Sequence, residues 1–407
     1  MTVAIFVAPV LSENASRMVE AAGSLPDVRL GVISQDWAEG APASARGRMA
    51  AHWRVDDVLD PAQVAGAVRA LAGRMGGAPT RLFGAYEQLQ VPLAQAREAL
   101  GIEGMSVEAA LNFRDKSRMK EVLRAAGVPV ARHALAESER AARAFALEVG
   151  LPLVLKPPAG AGARSTYRAA TADALGDALT RTAPAPGRPV LLEEFITGQE
   201  HSLETMSIDG RAVWHSVTRY FPTPLEVLEH SWIQWCVVLP RETLGPEYAD
   251  IRATGERALA ALGMRTGLTH MEWFRRHDDT VAVSEVAARP PGAQFTTLVS
   301  RANDVDFVQA WARVMIHGTF EPPVQRYAAG AAYLRGQGLG RVRAIHGLEQ
   351  VRAELGDLVT DVRLPEAGQA PTGTYEGDGY IIVRHPETAV VERAVQRIVS
   401  LVRVVLD

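Results

Sequence analysis

Two lysines, two glutamates and an arginine are the residues of this sequence whose types and spacing could do chemistry. Lys156 closes the apolar run 151–155 and precedes a Gly/Ala-rich turn, 159–163, after which Arg164-Ser-Thr-Tyr reads as extended. A lysine beside a flexible glycine turn can hold phosphates, because backbone N–H groups close on the oxygens while the ammonium balances charge. The pattern is not a Walker loop, since no G-x-x-x-x-G-K-[ST] occurs, and alone it reads equally as a plain flexible hairpin. Farther along, Glu272 and Glu285 fall on the two arms of a predicted hairpin, with Arg289 four residues after the second. Carboxylates on paired strands suit a hard divalent cation that shares phosphate oxygens, and an arginine beside them can grip an anion bidentately. As isolated residues, two glutamates thirteen positions apart mean little.

The elements that must position these groups follow from periodicity. Over the first 110 residues strands at 3–7, 28–33 and 81–85 alternate with helices at 12–22, 61–75 and 88–100, while 52–57 reads as a polar run. This rhythm predicts a small parallel sheet of doubly wound type. No G-x-G-x-x-G lies in its first turn, so dinucleotide binding there is unsupported. Glu87 falls at a strand–helix junction, where such sheets place ligands, although a solvated glutamate at a helix start fits equally. A basic amphipathic helix is expected over 112–126, then a helix at 137–148, the central strand and turn, and a helix at 173–182. VLLEEFI at 190–196 reads as a strand, and Asp209-Gly210 turns a hairpin between 202–208 and 212–218. Residues 220–239 read as an irregular aromatic segment with Trp232 and Trp235. A helix at 247–262, the Glu272/Glu285 hairpin, a helix at 306–316 and a last helix at 388–399 complete the chain. The fold class expected is α/β, α+β in part.

Composition excludes several functions. The chain has 407 residues, 47% hydrophobic and 22% charged, with a net charge of −4, so nothing attracts it globally to nucleic acid or an anionic membrane. No run approaches the length of a membrane span, and MTVAIFVAPV reads as a first buried strand rather than a signal peptide, so the cytoplasm is the expected location. The single cysteine, Cys236, rules out an internal disulfide framework and sits in an apolar run expected to bury it. Neither H-E-x-x-H nor G-x-S-x-G occurs.

Taken in order, the set resembles the ATP-grasp superfamily and, within it, the carboxylate–amine ligases that include L-amino acid ligases. RDKSRMKEVLRAAGVPV resembles the opening motif, which implies that Lys116 meets nucleotide phosphates. KPPAGAGARST resembles the second phosphate lysine, Lys156, with a mobile flap whose Gly160, Gly162 and Ser165 would close on ATP. VLLEEFITGQE resembles the adenine and ribose segment, so Glu193, Glu194, Phe195 and Ile196 would line the base and Glu200 would accept the ribose hydroxyls. HMEWF and SEVAARPPG resemble the strand pair whose glutamates, here Glu272 and Glu285, bind Mg, with Mn as a substitute; Arg289 matches the arginine at the acyl phosphate. Many members carry Asn two residues after the second glutamate; this chain has Ala287, which removes one oxygen ligand for a second Mg.

The resemblance implies a Rossmann-like leading domain (1–111), two ATP-grasp subdomains (112–189 and 190–325) and a small closing domain (326–407). It implies a ligase that joins a carboxylate to an amine through an acyl phosphate, releasing ADP and phosphate. The partners implied are small carboxylates and amines, amino acids by expectation, and a second copy in a homodimer. His270, in an H-x-E pattern seen among amino-acid ligases, together with Glu229, Trp232 and Glu87, is assigned to substrate. Two other readings share these residues: an enzyme of purine-pathway or biotin-carboxylase type acting on formate or bicarbonate, and a nucleotide-binding regulator without catalysis.

Overall fold

The computed structural model describes residues 1–160, 165–230 and 232–407. The leading unit is a four-stranded parallel sheet ordered Ala51–Arg54, Val28–Ser34, Thr2–Val7, Arg81–Gly84. The first of these strands replaces the polar run expected at 52–57. It is an edge strand, half-exposed on both faces, so its alternation carries no hydrophobic signal. Helix Pro61–Met75 forms as predicted, with Asp60 as N-cap, Pro61 at the first turn and Gly76 left-handed at φ 62°. The sheet packs through Phe83 against Trp311 of helix Phe307–His317 (centroids 5.7 Å apart), which joins its core to that of the large sheet.

The single helix expected over 112–126 is two, Val107–Arg114 and Lys116–Ala125. Asp115 separates them because its carboxylate accepts the N–H groups of Ser117 (2.9 Å) and Arg118 (3.0 Å), capping the second helix. Lys116 therefore stands at the first position of a helix, not within one.

A four-stranded antiparallel sheet follows, ordered His133–Ala136, Val190–Glu194, Leu153–Lys156, Tyr167–Ala169. Its apolar face is covered by helices Glu139–Val149 and Ala172–Thr182. Leu153–Lys156 and Tyr167–Ala169 pair antiparallel, so the strand–turn–strand unit is present; residues 161–163 of its turn lie outside the described residues.

The rest of the chain builds an eight-stranded sheet, Val281–Ala287, Gly267–Arg276, Gly198–Ile208, Arg211–Phe221, Cys236–Leu239, Ala328–Leu334, Gly379–His385, Val359–Arg363, and a three-stranded one ordered Gly336–Gln337, Arg403–Leu406, Val342–His346. The larger sheet's last three strands come from 326–407, so the closing region shares a sheet with the Glu272/Glu285 hairpin. The segment read as irregular holds the short helix Pro224–Glu229, capped by Thr223, and the buried strand Cys236–Leu239. Cys236 is buried there, and burial pushes its thiol up to about 12. Helix Phe295–Asn303, also unforeseen, starts after Ala293 and Gln294, both left-handed at φ 50° and 60°. Among the described residues no helix is long and apolar enough to cross a membrane.

Candidate functional site

Strand register places the acidic groups of the large sheet on one face. Side chains two apart along a strand point the same way, so Glu200, Ser202 and Glu204 share a face of Gly198–Ile208. On Gly267–Arg276, Phe274 lies opposite Glu200, Glu272 opposite Ser202 and His270 opposite Glu204. On the edge strand, Glu285 lies directly opposite Glu272 and Ala287 opposite His270. The two glutamates thirteen residues apart are thus cross-strand neighbours.

Lys156 of the four-stranded sheet and Lys116 at the start of helix Lys116–Ala125 face this acidic grid. Lys116 Nζ stands 2.7 Å from Glu285 Oε1 and donates to the Gly160 carbonyl at 2.9 Å. Lys156 Nζ stands 3.0 Å from Glu193 Oε2. Between the two sheets lies a cavity of about 470 Å³, ordinary for a small-molecule site. Its walls include Lys116, Lys156 and Gly160; Glu193, Glu194, Phe195 and Ile196; Glu200, Glu272 and Glu285; and His270, Glu229 and Arg289.

Most expected site residues are therefore brought together, with some in other roles. Glu193 lines the cavity, and its carboxylate is buried between Lys156 and Lys120. Glu194 lines the cavity while its carboxylate accepts from Arg132 (Nε–Oε2 2.6 Å). Glu87 is buried, not solvated, and its Oε2 accepts from Arg289 Nε at 2.7 Å. Glu229 lies 3.9 Å from Arg168, whose guanidinium covers the Phe195 ring at 4.3 Å, so the two residues reach toward each other across the cavity. Trp232 is 65% exposed and outside the lining; Trp235, 1% exposed, lines it instead. Ser165 is exposed and also outside the lining, and Gly162 lies outside the described residues.

Sequence reading missed Lys120, Glu204, Tyr220 and Tyr375. Lys120 is one helical turn after Lys116, and Glu204 continues the two-residue spacing from Glu200, so both had a periodic signal. Tyr375, from the loop before strand Gly379–His385, had none: it reaches the cavity only because the closing region joins the large sheet, where it packs edge-on to Trp235 (4.8 Å).

The electrostatics are those of a divided site. Burial opposes it, yet the Lys116 and Lys156 ammonium groups bring the Glu285 carboxyl down to about 2. Burial also works against Lys156, but Glu193, Glu285 and Glu272 together hold its ammonium above the ordinary range. Glu200 goes the other way: burial and the nearby Glu272 charge push its carboxyl well above the usual carboxylate range. Against burial, Glu204 (2.8 Å from Nδ1) and Glu272 (3.8 Å from Nε2) raise His270 to about 9.

The carboxylates fit a hard divalent cation. Glu272 and Glu285 face one cavity from directly opposed strand positions. Two protein carboxylates suffice only where phosphate oxygens complete the shell; among the described residues no group of three His, Cys, Asp or Glu could hold a metal alone.

Comparison with known proteins agrees with this geometry. Residues 121–303 match the ATP-grasp domain. An uncharacterized protein of Sinorhizobium fredii is 28% identical over 314 residues, covering 74% of this chain and 62% of the relative. An L-arginine-specific L-amino acid ligase of Bacillus subtilis is 25% identical over 227 residues, covering 54% of each. The chain thus spans less than two thirds of the length of these curated relatives. Among solved structures, an L-amino acid ligase from Bacillus licheniformis superposes with a TM-score of 0.79 at 19% identity, covering 100% of this chain and 99% of that one.

Proposed function

We propose that this chain, whose residues 121–303 form an ATP-grasp domain, is an ATP-dependent ligase that joins a carboxylate to an amine through an acyl phosphate. The observation that carries the reading is the convergence of Lys116, Lys156, Glu272, Glu285 and Arg289 on one cavity from two sheets. The chemistry must bring two anions together, a triphosphate and a carboxylate, and each needs its own cation.

Lys116 and Lys156 supply the charge facing the triphosphate, and Glu193, Glu194, Phe195 and Ile196 form the part of the lining that would meet the base. Glu272 and Glu285 would hold Mg, which would supply positive charge against the charge on the transferring group. Arg289, fixed by Glu87, orients the attacking carboxylate. A carboxylate oxygen then bonds to the γ-phosphorus as the bond to ADP breaks; the amine nitrogen next bonds to the acyl carbon as phosphate leaves. His270, held charged by Glu204 and Glu272, serves near neutral pH as a hydrogen-bond donor to anionic groups and not as a base.

The acceptor end of the cavity favours amino acids over formate or bicarbonate. Tyr220, Trp235, Phe295 and Tyr375 line it, a wall that one-carbon substrates would leave unused. The test is phosphate release from MgATP with single amino acids, with pairs, and with formate or bicarbonate. Release that requires an amino-acid carboxylate, with a condensed product by mass, is the expected result. Release with formate or bicarbonate alone, or with none of these, overturns the reading.

A further inference from the structure

The mechanism leaves the buried Lys120 without a task. Lys120 is 0% exposed and is not among the cavity-lining residues, so it does not touch a ligand there. Its ammonium donates to the Ser284 carbonyl at 2.8 Å and stands 3.2 Å from Glu193 Oε1. The other oxygen of the same carboxylate stands 3.0 Å from Lys156 Nζ. One buried glutamate is thus shared between two ammonium groups, one on each oxygen.

A fully buried lysine is costly unless paired and hydrogen-bonded, and a buried ion pair by itself is weak evidence for stability. The placement of this one points to a more specific role. Lys120 stands on helix Lys116–Ala125, one turn after Lys116. Glu193 lies on the strand beside Lys156, and Ser284 immediately precedes Glu285. The cluster therefore ties the edge of the large sheet to the lysine-bearing sheet, directly behind the cavity. Without Lys120 the carboxylate would keep a single partner, draw the Lys156 ammonium onto itself and leave less of that charge for the cavity.

We infer that Lys120 is a positioning residue for the nucleotide: by occupying one oxygen of Glu193 and the Ser284 carbonyl, it sets the carboxylate that aims Lys156 at the triphosphate. The inference rests on the ligase reading only in that Lys156 receives phosphates. It assigns Lys120 no contact with substrate, so its effect must pass through Lys156.

Equilibrium binding of MgATP and of adenosine to the full chain tests this, with Lys120→Met made alone and in a Lys156→Met background. Lys120→Met is expected to weaken MgATP about tenfold, as loss of a supporting-shell partner does, and to leave adenosine within about twofold. In the Lys156→Met background the same substitution should cost little, because the path it acts through is gone. Should Lys120→Met not fold, Glu193→Gln replaces it and is expected to weaken MgATP while sparing adenosine. Equal losses for MgATP and adenosine, or an undiminished loss in the Lys156→Met background, overturn the inference alone. A wild-type chain that binds no MgATP overturns the ligase reading, and the inference falls with it.

Discussion

Arg289 Nε donates to Glu87 Oε2 at 2.7 Å, a contact between residues 202 positions apart that joins the leading parallel sheet to the cavity. Glu87 is nearly buried and Arg289 one-fifth exposed, so the pair stays oriented while its guanidinium remains reachable. The leading unit thereby holds an arginine of the cavity wall, the one proposed to meet the carboxylate.

Glu87→Gln should leave Arg289 in place but less firmly aimed. Phosphate release is expected to fall about 10–100-fold, as for supporting-shell losses elsewhere, with MgATP affinity nearly unchanged. Equal losses in nucleotide affinity and turnover would show that Glu87 serves the fold and not the arginine.

Lys156→Met should abolish ADP release while the protein stays folded. Glu193 keeps Lys120 as a partner, so the cost in stability should stay below the ~3–5 kcal/mol of a broken isolated pair. Glu285→Ala is expected to abolish release as well. Circular dichroism and urea midpoints report the fold, and undiminished turnover in either variant removes that residue from the site.

The Glu285 carboxyl predicts an acid limb. Its folded value, about 2, lies below the ordinary 4.5, so between these pH values the unfolded chain binds a proton that the folded chain does not. The stability contributed by Glu285 is present above pH 4.5 and is lost as pH falls toward 2. Urea midpoints measured over that window should fall less steeply in Glu285→Gln than in wild type.

His270 predicts the opposite slope. Its folded value is raised to about 9 from 6.5, so its contribution is complete below pH 6.5 and disappears as pH rises through 9. Replacing it with Asn should flatten that alkaline loss in the melting temperature. A His270→Asn profile parallel to wild type from pH 6.5 to 9 would contradict the charged imidazole described here.

The charged residues that meet at the cavity were legible because each sits in a local pattern: Lys156 at a strand end before glycines, Glu272 and Glu285 on a hairpin, Lys116 after the capping Asp115. Their supporting partners were hidden, since an ion pair such as Glu87 with Arg289 leaves no trace in the spacing of either segment. The edge strand Ala51–Arg54 and the short helix Pro224–Glu229 were missed because neither buries a full apolar face.

By itself, then, the sequence determined the strand and helix rhythm, the glycine turn and the identities of the charged groups, all of which depend on neighbours a few residues apart. Only the tertiary structure decided which charges meet: that Glu193 stands between two lysines, that Trp235 and not Trp232 lines the cavity, and that Tyr375 arrives from the closing region. Those outcomes depend on sheet order and register, which bring together side chains far apart along the chain, and the burial and charge they impose on one another arise only once that packing is complete.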